Sequence, residues 1–289
     1  MNDDKGVALL MTLLVVAMLS VLVLAMNTRS LLAVTRAKQS VDALNAAYIM
    51  RSGISAAMAF LERDARESTI DALSEVWAQD VTQFPVGDGM VSIHIEDEAS
   101  KFNINTLVTP QGKIDDKAVE RFGRLLKTVG NDDRLAQRVA EWLRSRRADP
   151  SYTFRDPSEL LLVPGLTVEA FKRVESSLTV YTDPVNARNI NVNTAGRDVL
   201  VALSPKLSDA LIDGILNRRI ENPFREIGDV KKVPGMNDEI LYTFSDVIDV
   251  KSSIFRVRAE AKVAGVVKRG SAFVSRDGGS VRVIAWKEE

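Results

Sequence analysis

Apolar residues occupy every position from Val7 to Met26 except Thr12 and Ser20. A helix rises about 1.5 Å per residue, so this run covers the roughly 30 Å hydrocarbon core of a bilayer. The two hydroxyls can return to their own helix backbone and cost little in lipid. Beyond Met26 the pattern becomes periodic. Apolar positions fall at Val34, Ala37, Val41, Leu44 and Tyr48, then at Ile54, Met58, Leu61 and Ala65, in steps typical of an amphipathic helix. Residues 27–66 hold no proline and one glycine, Gly53. The economical reading is one rod, with residues 7–26 in lipid and residues 27–66 amphipathic. Val34, Ala37, Val41, Leu44 and Tyr48 form its packing seam.

Downstream the period changes. Gly87-Asp88-Gly89 is a turn signal, and Val91, Ile93 and Ile95 then alternate with Ser92, His94 and Glu96, which predicts a half-buried strand. Phe255, Val257, Ala259 and Ala261 share one face of a second strand. A third, near residues 271–276, runs into Asp277-Gly278-Gly279, a hairpin signal. Past it Val281, Val283 and Ala285 alternate with Arg282, Ile284 and Trp286. Residues 67–101 and 253–289 thus read as one small antiparallel sheet interrupted by a helical insertion, residues 102–252.

That insertion is internally duplicated. Phe102-Asn103-Ile104-Asn105-Thr106 recurs as Ile190-Asn191-Val192-Asn193-Thr194. The arginine pair Arg146-Arg147 recurs as Arg218-Arg219, Phe154-Arg155 as Phe224-Arg225, and Val163-Pro164-Gly165-Leu166 as Val233-Pro234-Gly235-Met236. Each copy predicts an asparagine turn, helices, a loop with a buried Phe, and a Pro-Gly hairpin. The proline ends the preceding helix and the glycine suits the tight turn. An all-α module of two related halves follows.

Composition narrows the chemistry. Lysine and arginine number 38 against 39 aspartates and glutamates, and no cysteine is present. A disulfide framework and thiolate zinc sites are therefore excluded. His94 is the only histidine, set among polar neighbours, and reads as solvated. The acidic pairs Asp97-Glu98, Asp115-Asp116 and Asp132-Asp133 read as helix caps and solvated groups. No phosphate loop, dinucleotide fingerprint or nucleophile elbow occurs, so no catalytic residue is assigned and the chain is read as a non-enzyme.

Several stretches carry a family resemblance. The charged leader, Gly6 and then Val7 at the head of the apolar run resemble a prepilin peptidase site. Residues 43–64, Asp71 to Trp77, Phe102 to Leu107 and Ser253 to Glu260 resemble the minor pseudopilin K of bacterial type II secretion, and the similarity spans nearly the whole chain. It implies an α+β fold: a long N-terminal helix packed on a small antiparallel sheet, with a large inserted helix-hairpin-helix-like domain. It further implies a leader, residues 1–6, removed after Gly6 to leave Val7 as the new terminus. Met11 then stands fifth in the mature chain, where most pilin-like subunits carry a glutamate that meets a neighbour's amino terminus. An apolar residue there fits a filament cap. The implied partners are the I- and J-type minor pseudopilins, the major pseudopilin, prepilin peptidase and the inner membrane. The implied role is at the pseudopilus tip, with the globular part in the periplasm. Arg29, Arg36 and Lys38 behind the span would by themselves favour a cytoplasmic location for that part. Some relatives bind calcium after a tryptophan like Trp142. Here Arg144, Arg146 and Arg147 stand where carboxylates are wanted, so no metal or cofactor is assigned.

Rival readings remain. The apolar run could be a cleaved secretory signal or a plain anchor. The rod would also serve a minor pilin of a type IV pilus. The duplicated module also resembles helix-hairpin-helix domains of DNA-uptake proteins. Against that, the 203–209 hairpin lacks glycine, Asp238 and Glu239 follow Pro234-Gly235, and residues 190–252 hold eight basic against ten acidic side chains. These features weigh against nucleic acid as a partner, since phosphate affinity needs basic neutralisation, and a membrane-anchored DNA-binding or uptake protein stays the alternative reading.

Overall fold

The computed structural model describes residues 3–146, 152–181, 190–277 and 279–288, with side chains from Gly6 onward. The first helix, α1 (Asp3–Glu67), is continuous and roughly 100 Å long. It is the one helix among the described residues long and apolar enough to cross a membrane, with a most apolar window of mean hydropathy 3.0. Thr12 and Ser20 return their hydroxyls to the carbonyls of Leu9 and Val16.

The apolar periodicity of α1 splits into two stripes. Ala46, Met50, Gly53, Ile54, Ala57 and Leu61 are buried against the sheet. Val34, Ala37, Val41, Leu44 and Tyr48 are exposed. At 100° per residue the two sets lie about 170° apart around the helix. The steps that look like one seam conceal a break between Tyr48 and Ile54, where the apolar face changes sides. Only the upper part of the rod has a sheet to pack on.

That sheet has five strands, neighbours in chain order and each antiparallel to the next. Its strands are β1 (Val81–Val86) and β2 (Gly89–Asp97), then, after the insertion, β7 (Ile254–Val263), β8 (Val266–Asp277) and β9 (Ser280–Glu288). Phe255, Val257, Ala259 and Ala261 of β7 face α1 beside Val91 and Ile95 of β2 and Ala272 and Val274 of β8. Gly53 permits the close approach: a Cβ there would lie 2.8 Å from Val91 Cγ2. Strand β1 gave no sequence signal, because its residues are largely exposed and Pro85 interrupts it. The alternation expected through β9 fails at a bulge opposite Phe273 and Val274, which leaves Val283, Ile284 and Trp286 exposed together.

The insertion carries helices α2 (Asp116–Thr128), α3 (Leu135–Arg146), α4 (Val168–Val174), α5 (Arg197–Leu203), α6 (Asp209–Glu221) and α7 (Asp238–Tyr242) around one apolar core. It is not purely helical. β3 (Phe102–Asn103) pairs in parallel with β4 (Leu178–Thr179), and β5 (Ile190–Asn191) with β6 (Ile248–Asp249). Each two-residue ladder joins the first segment of one half to its last, too short to register as a period. In both halves one asparagine pins the backbone of the loop phenylalanine. Asn105 Nδ2 donates to Phe154 O and its Oδ1 accepts from Phe154 N, and Asn193 does the same at Phe224. Both phenylalanines are buried. Gly165 and Gly235 sit at φ +88° and +86° in matching Val-Pro-Gly turns closed by Leu166 N to Val163 O and Met236 N to Val233 O.

Candidate functional site

Two features carry chemistry. One is the exposed stripe of α1; the other is a buried polar junction where rod, sheet and inserted domain meet.

The junction starts at the end of β2. Asp97 is fully buried and caps the next turn, its Oδ1 accepting from Ala99 N at 2.8 Å. Its Oδ2 accepts from Asn191 Nδ2 at 3.1 Å, Thr194 Oγ1 at 2.5 Å and Ser252 Oγ at 2.6 Å. One carboxylate thus ties the sheet to the Asn191–Thr194 turn and to the return strand. Asn191 Nδ2 also reaches Asp71 O, just past the end of α1. Beside Asp97, Glu98 accepts from Lys101 Nζ at 2.7 Å and Thr179 Oγ1 at 2.5 Å, which binds the first half in the same manner. These two carboxylates are therefore not solvated. Asp97 does cap, but both are buried hubs.

Across the junction Arg276 of β8 is the matching cation. Its Nη2 donates to both oxygens of Asp71 and to Ser252 O, and its Nη1 to Asp64 at 2.9 Å. Its guanidinium carbon lies 4.7 Å from the centre of the Phe255 ring. Asp71 also accepts from Ser252 N. Burial outweighs Arg276 and raises the Asp71 pKa. Burial, then Glu75 and Asp71, push Asp64 up to about 6. Burial pushes Asp97 up to about 6 against the hydroxyl bonds of Ser252 and Thr194. Burial also opposes ionisation of Glu96, but Lys101 and Arg258 hold its carboxyl below the ordinary value.

Asp64, Asp71 and Glu75 bring carboxylate oxygens within 4.8 Å of one another. Two of the three, Asp64 and Asp71, already receive Arg276, and Glu75 is engaged by Ser68 Oγ, Ala72 N and Trp77 Nε1. The calcium segment weighed from resemblance is only partly described. Residues 147–150 lie outside the described residues, and Arg144, Ser145 and Arg146 offer no carboxylate.

Other sequence-derived positions distribute simply. Gly6, Val7 and Met11 lie exposed on the apolar end of α1. Tyr48 is 67% exposed and Val34 69%. His94 is exposed and bonds Asp80 at 2.5 Å. Asp115 caps α2, while Asp132 accepts from Arg134 N ahead of α3. In the second half Lys231, Lys232 and Lys206 are paired with Asp238, Asp229 and Glu239. Sequence reasoning missed the junction, because a buried acid and a solvated one look alike in a string of residues. The recurring Asn-Xaa-Asn-Thr motif was the usable signal, since it supplies Asn191, Asn193 and Thr194.

A membrane-length helix whose upper part packs on an antiparallel sheet is the architecture of the pilin-like class. Two matches to the family described as "Type II secretion system (T2SS), protein K" fall on residues 100–183 and 190–251, together just over half of the chain. Type II secretion system protein K of Pseudomonas aeruginosa is 28% identical over 80% of this chain and 77% of its own length. The Klebsiella pneumoniae protein of the same name is 29% identical over 71% of each. The fold is also that of a crystal structure of the GspK-GspI-GspJ complex from enterotoxigenic Escherichia coli. There the TM-score is 0.70 at 18% identity, covering 88% of this chain and 99% of the other. The chain belongs to the type II secretion system protein K family.

Proposed function

We propose that this chain is a minor pseudopilin that caps the pseudopilus tip and helps start its assembly, for export of folded proteins across the outer membrane. The carrying observation is the bare stripe Val34–Ala37–Val41–Leu44–Tyr48, set about opposite the face that packs on the sheet. Apolar side chains aligned outward over four turns suit neighbouring helices of the I- and J-type subunits and of the major pseudopilin. The inserted domain abuts the upper end of α1 through Asp71. A head there leaves no room for a further subunit above.

In this reading prepilin peptidase cuts between Gly6 and Val7, and residues 7–26 hold the subunit in the inner membrane with its head in the periplasm. A buried charge in lipid is expensive unless paired, and Met11 removes the need for a partner at the fifth position. The protein acts by assembly, without catalysis, cofactor or nucleic acid.

Co-expression of the full-length chain with the I- and J-type subunits tests this. A ternary complex isolated from detergent, with intact mass placing the terminus at Val7, is expected. Failure to form a complex, or a mature chain starting near Asn27, would remove the reading.

A further inference from the structure

Asp71 ties the inserted domain to the end of α1. Its N–H donates to Val250 O at 2.9 Å, its carbonyl accepts from Asn191 Nδ2 at 2.9 Å, and its carboxylate accepts from Ser252 N at 2.7 Å. One residue thus holds both the turn that opens the second half and the segment that leaves it.

The same carboxylate stands in a charge imbalance. Asp64, in the last turn of α1, and Glu75 bring their oxygens within 4.8 Å of it. Among the described residues Arg276 is the one cation paired with any of the three. The donors on Glu75, Ser68 Oγ, Ala72 N and Trp77 Nε1, are all neutral. Full ionisation sets three negative charges against one positive where the side chains of Asp71 and Arg276 are 0% and 3% exposed. Carboxylates that share a site repel, and burial adds to the cost of charging them. Asp64, whose side chain is 17% exposed, is the member that water reaches most readily beside the buried Asp71.

The neighbouring charges do not restore the balance. From β2, Asp97 adds a further carboxylate, joined to Asp71 through Asn191 and Ser252. Glu98 is occupied by Lys101 and Thr179. On α1, Arg63 pairs with Glu67, Glu62 accepts from Val281 N, and Arg66 is exposed. Lys251 and Asp277, next to Ser252 and Arg276 in the chain, are exposed and opposite in sign.

We propose that Asp64, Asp71 and Glu75 form a proton-operated latch between the rod and the inserted domain. A proton on Asp64 closes it; full ionisation loosens the bonds that Asp71 makes to Val250, Asn191 and Ser252. The sign follows from Asp64, which burial and its two acidic neighbours push from the ordinary 3.8 up to about 6. The latch is therefore complete below about pH 4 and weakens as pH rises through 6. It belongs to the folded chain and does not depend on the assembly role. In that role, a head of this build is fixed most firmly to its rod in acid.

Hydrogen exchange of the full-length chain in detergent, read by mass spectrometry and corrected for the intrinsic effect of pH, tests the latch. From pH 5 to pH 7.5 protection of residues 68–77 should fall about tenfold, the linkage expected when opening returns Asp64 to its ordinary value. Peptides from α2 and α3 should not change. Asp64→Asn and Asp64→Ala each remove one charge at every pH and should leave less than a twofold fall. His94→Gln, which removes the histidine paired with Asp80, and Asp97→Asn should both keep the tenfold fall at residues 68–77. Equal protection of the parent at the two pH values would overturn the proposal. So would a full fall in both Asp64 variants, or its loss in His94→Gln or Asp97→Asn. None of these results bears on whether the ternary complex forms, which tests the proposed function separately.

Discussion

Asp97 holds three pieces of the chain together without a cation touching it, and its side-chain bonds are all received. An asparagine cannot receive on both ends: its amide would confront either Ala99 N or the donors at Oδ2. Asp97→Asn is therefore expected to cost about 1–3 kcal/mol at neutral pH, read by urea unfolding. The pH dependence has a definite sign. The folded pKa of about 6 lies above an aspartate's ordinary 3.8, so this group's contribution is complete below about pH 4 and is lost as pH rises through 6. The stability gap between wild type and Asp97→Asn should narrow from pH 4.5 to pH 7; a constant gap would refute the assignment. Arg276 is the complementary case. Its removal as Arg276→Ala strands Asp71 in the interior and should cost about 3–5 kcal/mol in the same assay. Arg276→Lys should recover only part, because a single ammonium cannot reproduce the fork that spans Asp71, Asp64 and Ser252 O.

At the level of elements, the asparagine clamps explain why the duplicated motif was readable. Asn105 and Asn193 each satisfy a buried phenylalanine's N–H and C=O at once. Asn105→Ala and Asn193→Ala should each lower stability by about 2–3 kcal/mol in chemical denaturation, and by similar amounts; a silent member of the pair would break the equivalence. The helical rod, the strand before the insertion and the Pro-Gly turns were legible because period and turn chemistry are local. Strand β1, the two-residue ladders and the bulge in β9 were not, since each depends on a distant partner. The junction was half legible: the motif announced Asn191 and Thr194, but nothing near Asp71 or Arg276 in sequence says that they meet across more than two hundred residues.

Across the whole molecule, the face of α1 that serves the subunit itself and the face offered outward are separable. Val41→Asp with Tyr48→Arg touches only exposed positions, so the stability of the folded body should stay within about 0.5 kcal/mol. The same variant should abolish recovery of the ternary complex; a complex of normal yield would show that assembly uses another surface. The break between Tyr48 and Ile54 has a mechanical consequence. The proline-free rod is stiff in torsion, so in the proposed assembly the azimuth at which its lower half packs would fix the compass bearing of the head. Any twist applied to the stem would swing the head around like a weathervane on its spindle, with no swivel to absorb the turn.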